Sequence, residues 1–216
     1  MNESEDLHIP FTWAERRPIL LKNFLYLPPC TQELHDPKLF SISGLMIVEY
    51  CSGNGQWIAE AAKREKGVIW IAVEKQFERA RSIWKRIVRE SLDHLFIVCG
   101  DAMTFSQYYL REKSIEEVFI NFPDPWPKRK HAKHRVIQRH FVQELERTLK
   151  PGGRATLVTD DIGTSERIIR EFSSWKNRFA PHQFITEWPD FGSSFFHTLW
   201  TKRGCTIRYH RFSYGD

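Results

Sequence analysis

Short apolar runs alternate with segments of helical periodicity along most of the chain. Five runs have the length and composition of buried strands. They are LMIVEY (45–50), VIWIAVE (68–74), LFIVCGD (95–101), EVFINF (117–122) and ATLVTDD (155–161). Two final strands are predicted near 182–188 and 205–212, which makes seven strands in all.

The segments between the strands carry apolar residues at steps of three and four, as amphipathic helices do. After VIWIAVE, the apolar stripe consists of Phe77, Ala80, Trp84, Ile87 and Val88. Shorter helices are predicted after the first strand, where Gly67 ends the pattern, and over 105–111. A helix before ATLVTDD is expected to end at Lys150, and Thr164 is the predicted N-cap of a last helix, SERIIREFSSW (165–175).

Strands that alternate with helices of this length favour a mostly parallel sheet with helices on both faces. We therefore predict a Rossmann-like α/β domain with a seven-stranded sheet over 41–216. Residues 1–40 contain five prolines and no sustained periodicity, which predicts an irregular N-terminal arm packed on that domain.

The chain carries a local excess of positive charge. The 32 basic residues exceed the 27 acidic ones, for a net charge of +5, which alone only mildly favours an anionic partner. Six basic residues, however, fall within 128–139. They are Lys128, Arg129, Lys130, Lys133, Arg135 and Arg139. This basic run predicts either a surface that binds phosphates or a solvated helix face.

Several classes of protein are disfavoured. The four cysteines are widely separated and form no C-x-x-C pair, which argues against a zinc ribbon and a disulfide scaffold. His131 and His134 have a ligand-like spacing, but no nearby cysteine or carboxylate completes a set, so no metal site is predicted. The sequence contains no apolar run of membrane-spanning length and does not start like a signal peptide, so we expect a cytoplasmic protein.

Four acidic residues lie at or just after the ends of predicted strands. They are Glu49, Glu74, Asp101 and Asp124. Ligands of parallel α/β sheets bind at the carboxyl ends of the strands, so these acids would line one edge if their strands are neighbours. Asp101 also has a simpler explanation, as a cap at the end of its strand.

The first turn, Gly53-Asn54-Gly55, allows the backbone to turn sharply and approach a ligand. Glu74 lies at the end of the next strand, where a carboxylate can accept hydrogen bonds from ribose hydroxyls. A dinucleotide site would use a third glycine where Ile58 stands. Carboxylates beside the turn suit a positively charged ligand without phosphates, and S-adenosylmethionine fits this description.

Four motifs together resemble the tRNA (guanine-N7-)-methyltransferase family. They are EYCSGNG, AVE, GDA and, as the most specific, FPDPWPKRKHAKHR (122–135). The resemblance extends from about Ile47 to the C-terminus. It implies the class I S-adenosylmethionine-dependent methyltransferase fold and methyl transfer to N7 of guanine 46 in the variable loop of tRNA.

The resemblance also implies roles for individual residues. Contacts to S-adenosylmethionine fall on Glu49, Glu74, Asp101 and Asp124, beside the turn glycines Gly53 and Gly55. Contacts to the nucleotide fall on Lys128, on Asp160 in VTDD and near Thr198. Two positions depart from the family pattern: Cys51 replaces the first glycine of the turn, and Thr201 replaces a C-terminal glutamate.

The loop around Asp124 fits this chemistry. Guanine N7 carries an exposed lone pair, so its methylation needs no proton removed. Pro123 and Pro125 restrict the backbone on both sides of Asp124, whose carboxylate can accept hydrogen bonds from guanine and favour the cation that methylation creates. Trp126 either stacks on an unstacked base or packs in the core.

The basic residues Lys128, Arg129, Lys130, Lys133 and Arg135 are predicted to bind the RNA backbone. Asp160 and Asp161 end the fifth strand; either could bind guanine or cap the next helix, and we favour Asp160 for guanine. Two rival functions are an amino-group nucleic-acid methyltransferase, because N-F-P-D-P-W loosely matches a [DN]-P-P-[YF] loop, and a catalytically silent RNA-binding subunit. The chain is expected to be a monomer or a homodimer.

Overall fold

The computed structural model describes residues 16–29, 34–174, 179, 183–192 and 194–215. Parts of the predicted arm (1–15 and 30–33), Trp175 and His182 lie outside the described residues, as does the side chain of Arg129. The chain divides into two compact units, Met1–Leu110 and Arg111–Asp216. None of the helices among the described residues has the length and apolar composition of a membrane span.

The first unit contains five strands and three α-helices in its described part. The strands are β1 (Ile19–Leu21), β2 (Phe24–Tyr26), β3 (Met46–Tyr50), β4 (Ile69–Glu74) and β5 (Leu95–Cys99). The helices are α1 (Gln56–Arg64), α2 (Phe77–Glu90) and α3 (Ala102–Tyr109). The strand order is β1-β2-β5-β4-β3, and every pair is parallel except β1 with β2.

The apolar patterns explain why these elements form. All five residues of β3 are buried, and β4 is buried from its second residue onward, as expected for strands in the middle of a parallel sheet. Helix α2 buries the stripe of Ala80, Ile83, Trp84 and Ile87. The core of this unit therefore lies between the sheet and its helices.

The second unit contains four strands and three α-helices in its described part. The strands are β6 (Ile115–Asn121), β7 (Leu149–Thr159), β8 (Gln183–Ile185) and β9 (Arg208–Ser213). The α-helices are α4 (Arg139–Thr148), α5 (Ile162–Ser173) and α6 (Phe195–Lys202), and Arg129–His134 forms a 3-10 helix. The strand order is β6-β7-β9-β8; β6 and β7 are parallel, whereas the other pairs are antiparallel.

The structure confirms the α/β class and all five predicted buried strands, but the predicted count of seven strands was wrong. The described residues contain nine strands, because β1 and β2 form a hairpin within the segment predicted as an irregular arm. Strand β2 joins the sheet beside β5. The division into an arm of 1–40 and a methyltransferase domain of 41–216 stays a prediction.

Two local predictions also need correction. The N-cap of α5 is Asp161, whose carboxylate accepts the N–H of Thr164, and Thr164 itself is buried in the helix. Helix α4 ends at Thr148, and the Lys150-Pro-Gly-Gly sequence belongs to strand β7. Both differences depend on hydrogen bonds that the apolar pattern does not encode.

Gly55 and Gly152 allow a comparison of two kinds of strain. Gly55 has a φ of +69°, and a Cβ added there would lie 2.5 Å from Ile83 Cγ1. Gly152 has a φ of +75°, but an added Cβ would meet no atom within 4 Å. Gly152→Ala should therefore lower the free energy of unfolding by the left-handed strain alone, about 1–2 kcal/mol.

Gly55→Ala should lower the free energy of unfolding by a further ~1–3 kcal/mol, because the new methyl group overpacks against Ile83. Urea unfolding of both variants measures the difference. An equal decrease in the free energy of unfolding of the two variants would show that the turn can move away from α2 without a loss of stability.

Candidate cofactor and nucleotide sites

The first turn of the first unit follows β3 and has an unusual backbone. Cys51, Gly53 and Gly55 all have left-handed conformations, with φ values of 62°, 57° and 69°. A left-handed backbone favours glycine, which accounts for the glycine that the family pattern has in place of Cys51. Cys51 adopts the conformation that glycine would have, so its side chain does not prevent the turn.

Hydrogen bonds hold this turn against two strands. The Ser52 hydroxyl donates to the Glu49 carbonyl at 2.9 Å, and the Ser52 N–H donates to the Val73 carbonyl at 3.1 Å. The Gly55 N–H donates to the Ser52 carbonyl at 2.9 Å. The turn is therefore positioned before any ligand binds.

Glu74, the last residue of β4, connects the turn to the next loop. Its Oε2 accepts the Gly53 N–H and its Oε1 accepts the Gln76 N–H, both at 2.8 Å. Burial raises the pKa of the Glu74 carboxyl, and these N–H groups oppose the increase. Each carboxylate oxygen keeps a further lone pair, so Glu74 can hold the turn and accept a ligand hydroxyl at once.

Asp101 follows β5 and is the N-cap of α3. Its Oδ1 accepts the N–H groups of Met103 and Thr104 at 3.0 and 3.1 Å. Its Oδ2 lies 3.7 Å from Lys75 Nζ, and about half of the side chain is exposed. Asp101 therefore caps the helix that follows its strand, and its second oxygen is placed for another partner.

Parallel pairing of β3, β4 and β5 brings three of the predicted acids to one edge of the first unit. Glu49 is buried in β3, Glu74 ends β4, and Asp101 lies two residues after β5. Carboxylates around a left-handed turn would repel a cofactor's phosphates but accept ribose hydroxyls and an adenine amino group. The residues present therefore fit S-adenosylmethionine, a nucleoside with a positive centre.

The FPDPWPK loop of the second unit starts directly at the end of β6. The Phe122 N–H donates to the Val158 carbonyl of β7 at 2.8 Å, and Phe122 and Trp126 have φ values of 49° and 41°. Pro123 is buried, whereas Asp124 is exposed. The loop thus presents the Asp124 carboxylate to solvent from a backbone restrained on both sides.

Arg135 fixes the far side of this loop. Its Nε and Nη2 donate to the Trp126 carbonyl at 3.1 and 2.7 Å, and Nη2 also lies 3.4 Å from the Pro127 carbonyl. Sequence reasoning assigned Arg135 to RNA phosphates and missed this contact. No periodic pattern links positions nine residues apart, so only the structure could reveal it.

The Trp126 ring contacts two histidines of the basic run. Its centroid lies 5.5 Å from that of His131, edge to face, and 5.2 Å from that of His134. The Trp126 side chain is partly exposed and does not belong to the buried core of the described residues. Packing deep in the core, one of the two alternatives for Trp126, is therefore not observed.

The side chains of Lys128, Lys130 and Lys133 are exposed. Lys130 and Lys133 belong to the 3-10 helix Arg129–His134, which precedes α4. The main part of the basic run is therefore a separate surface segment and no face of an α-helix.

Asp160 and Asp161 have different surroundings at the end of β7. Asp161 caps α5, with its Oδ1 accepting the Thr164 N–H. Asp160 is partly buried, and its carbonyl accepts a hydrogen bond from Arg208 Nη1 at 3.0 Å. Burial raises the pKa of the Asp160 carboxyl, and the nearby charge of Asp161 raises it further.

Helix α6, which the sequence analysis did not predict, carries Thr198. Thr198 is exposed, and Phe122 of the loop contacts Phe196 and His197, with both centroid distances at 6.4 Å. His197 Nε2 lies 2.9 Å from the Tyr209 hydroxyl, which attaches α6 to β9. The second unit therefore brings the loop, the end of β7 and α6 to one region.

Comparison with known proteins relates this chain to a family of methyltransferases. Residues 43–190 match the Methyltransf_4 family, described as "Putative methyltransferase". The chain is 38% identical over 211 residues to a tRNA (guanine-N(7)-)-methyltransferase of Chlamydia trachomatis, covering 94% of each chain. It is 36% identical over 218 residues to the enzyme of the same name from Chlamydia pneumoniae, covering 96% of each.

Solved structures show the same fold at low sequence identity. An S-adenosylmethionine-dependent O-methyltransferase from Thermotoga maritima matches with a TM-score of 0.57 and 16% identity, over 81% of this chain and 60% of that one. An antibiotic-related methyltransferase matches with a TM-score of 0.57 and 16% identity, over 81% of this chain and 89% of that one. The fold is that of class I S-adenosylmethionine-dependent methyltransferases. With 38% identity over almost its whole length to a named relative, the chain belongs to the tRNA (guanine-N7-)-methyltransferase family.

Proposed function

We propose that the protein transfers a methyl group from S-adenosylmethionine to N7 of guanine 46 in tRNA. The observation that carries the proposal is the restrained FPDPWPK loop, which exposes one carboxylate, Asp124, next to a run of exposed lysines. The names of the relatives supply the substrate class, and the chemistry of guanine explains the loop.

The residues of the first unit hold the cofactor. Glu74 accepts hydrogen bonds from the ribose and Asp101 from the adenine amino group, while Glu49 favours a positive centre. Gly53 and Gly55 add no side chains of their own to the turn, which leaves room for the cofactor beside its backbone. When bound, S-adenosylmethionine supplies an electrophilic methyl group. No step requires a base, because N7 has no proton to lose.

Asp124 orients the guanine. Its carboxylate accepts the N1–H and the exocyclic amine and stabilises the positive charge that develops on the base. Asp124 also favours the cationic cofactor. Such orientation can contribute on the order of 7–11 kcal/mol at best, which is why a restrained loop is useful.

The remaining residues bind the rest of the nucleotide. Asp160 and Thr198 contact the guanosine, and Trp126, with its partly exposed ring, stacks on an unstacked base. Lys128, Arg129, Lys130 and Lys133 bind phosphates. Arg135 orders the loop through the Trp126 carbonyl and also contacts a phosphate.

The alternative function, a catalytically silent RNA-binding subunit, is suggested by the two departures from the family pattern, Cys51 and Thr201. The backbone at Cys51 has the left-handed conformation that glycine would adopt, which favours an active cofactor turn.

The cytoplasm is the expected location of the protein, and a monomer or a homodimer stays its expected oligomeric state.

The decisive experiment incubates the purified protein with unmodified tRNA and methyl-labelled S-adenosylmethionine, followed by nucleoside analysis. We expect label in 7-methylguanosine, and its loss when guanine 46 of the tRNA is replaced by adenine. Label in an N2-methylated guanosine would support the amino-group rival. Cofactor and tRNA binding without any transfer would support the silent subunit.

Asp101→Asn separates the capping role of Asp101 from cofactor binding. Asparagine caps helices as well as aspartate, so thermal stability should change little. The affinity for S-adenosylmethionine should fall by about 1–3 kcal/mol, because the amide loses the charged acceptor for the adenine amino group. Calorimetry measures the affinity.

Asp36→Asn is the matched control for this variant, because Asp36 caps the 3-10 helix Pro37–Phe40 of the first unit and accepts the Lys38 N–H at 2.9 Å. The Asp36 variant should bind the cofactor like the wild type. Equal affinities of the two variants would remove Asp101 from the cofactor site.

Asp124→Asn keeps the shape of the side chain and removes its charge. Turnover should fall strongly, whereas cofactor affinity should fall less, because the loss concerns mainly the guanine and its developing cation. Single-turnover methyl transfer at saturating cofactor and tRNA measures the chemical step, with the exposed Asp190→Asn as control.

The pH dependence of the wild-type reaction tests whether Asp124 acts as a base. An acidic limb that disappears in Asp124→Asn would identify a general base and contradict the proposed mechanism. Near-normal turnover of the variant would remove Asp124 from catalysis.

Asp160→Asn should stabilise the protein at neutral pH. It should also slow methyl transfer to tRNA, because Asp160 is proposed to contact the guanosine. The pKa of Asp160 is higher in the folded state than in the unfolded state, so its contribution to stability is present at low pH and lost as the pH rises through the folded-state pKa. Asparagine does not ionise, so the variant does not lose this contribution to stability as the pH rises. Urea unfolding should show a stabilisation that disappears below about pH 4, near the unfolded pKa. A stabilisation that grows on acidification would contradict this assignment.

A further inference from the structure

The FPDPWPK loop and helix α5 start side by side in the second unit. Strands β6 and β7 are parallel, with Asn121 opposite Val158, and the loop follows β6 while α5 follows β7. Residues on the loop side of α5 therefore lie near the residues that hold the loop.

Arg135 is held by hydrogen bonds to the loop in this region. The Nε and Nη2 nitrogens donate to the Trp126 and Pro127 carbonyls, whereas Nη1 makes none of these bonds. An arginine guanidinium has five N–H donors in a planar fork. Part of its donor capacity thus remains for another acceptor.

Arg167 of α5 has one nitrogen without an acceptor among the residues that the structure describes. Its Nε is excluded from solvent and lacks a hydrogen-bond partner there. Burial lowers the pKa of Arg167, and the positive charge of Arg135 is the next largest cause, ahead of Arg170. The charges of Asp161 and Glu171 only oppose these effects. Two arginines therefore repel each other in a partly buried place, at a cost that an anion would offset.

We propose that Arg135 and Arg167 together bind one backbone phosphate of the tRNA substrate, an inference that rests on the proposed function. Guanidinium groups bind phosphate oxygens with two parallel hydrogen bonds, and a buried donor without a partner is satisfied by such an oxygen. Because Arg135 also holds the Trp126 carbonyl, the phosphate would strengthen the order of the loop that carries Asp124.

The test substitutes Arg167→Gln, with Arg170→Gln as the matched control. Arg170 lies on the same helix, but its side chain is 67% exposed and its Nη2 pairs with Glu171 at 3.0 Å. Binding of unmodified tRNA is measured over a range of salt concentrations, separately from methyl transfer, and thermal unfolding is followed with and without sodium sulfate.

We expect Arg167→Gln to weaken tRNA binding about tenfold and to reduce the slope of log affinity against log salt by somewhat less than one unit, as for one lost phosphate contact. Arg170→Gln, the control, should change the tRNA affinity and the salt slope much less. Arg167→Gln should melt no earlier than the wild type, because it removes a repulsion. Sulfate should raise its melting temperature less than that of the Arg170→Gln control, because the general stabilisation by sulfate remains and only the part due to binding at this site is lost. The KM for tRNA should rise more than kcat falls.

Equal tRNA affinity and salt slope in the two variants would overturn the inference, as would a lower melting temperature that explains the weaker binding. These binding results are independent of catalysis. A wild-type protein that binds tRNA through Arg167 but forms no 7-methylguanosine would overturn the proposed function and leave the phosphate site standing.

Discussion

Parallel strand pairing is the constraint on which the candidate sites of both units depend. Parallel strands place their carboxyl ends at the same edge, so the loops after β3, β4 and β5 meet in the first unit, and the loops after β6 and β7 meet in the second. Glu74 reinforces the first meeting point, because its carboxylate binds the N–H groups of two different loops. The proposed ligand contacts therefore belong to backbone turns that the sheet itself holds in place.

The sites combine this order with unfavourable electrostatics. Burial raises the pKa of Glu74 and of Asp160, and burial together with Arg135 lowers that of Arg167. Each group would be less strained if it were neutral or paired with a ligand of opposite character. Sites of this kind sacrifice some stability for binding, and such a trade-off is common where charged groups are held in place before the ligand arrives.

Arg135 illustrates why a basic run is no uniform surface. Its neighbours Lys130 and Lys133 are exposed, as phosphate-binding lysines are expected to be, but Arg135 is used first to fix the loop that carries Asp124. Arginine suits both uses, because its planar group can donate to a carbonyl on one side and to a phosphate on the other. Recognition of the RNA backbone and order of the loop that carries Asp124 would then be linked through one side chain.

The sequence by itself determined the α/β class, the five buried strands and the family, because apolar periodicity and the FPDPWPK motif are local properties of the chain. It also identified Glu74 and Asp101 as residues at strand ends. Only the tertiary structure decided that Asp161 caps α5, that Arg135 binds the Trp126 carbonyl, that β1 and β2 join the sheet and that α6 is helical. These features depend on hydrogen bonds and packing between residues that no short-range pattern connects, so they are defined only once the chain has folded.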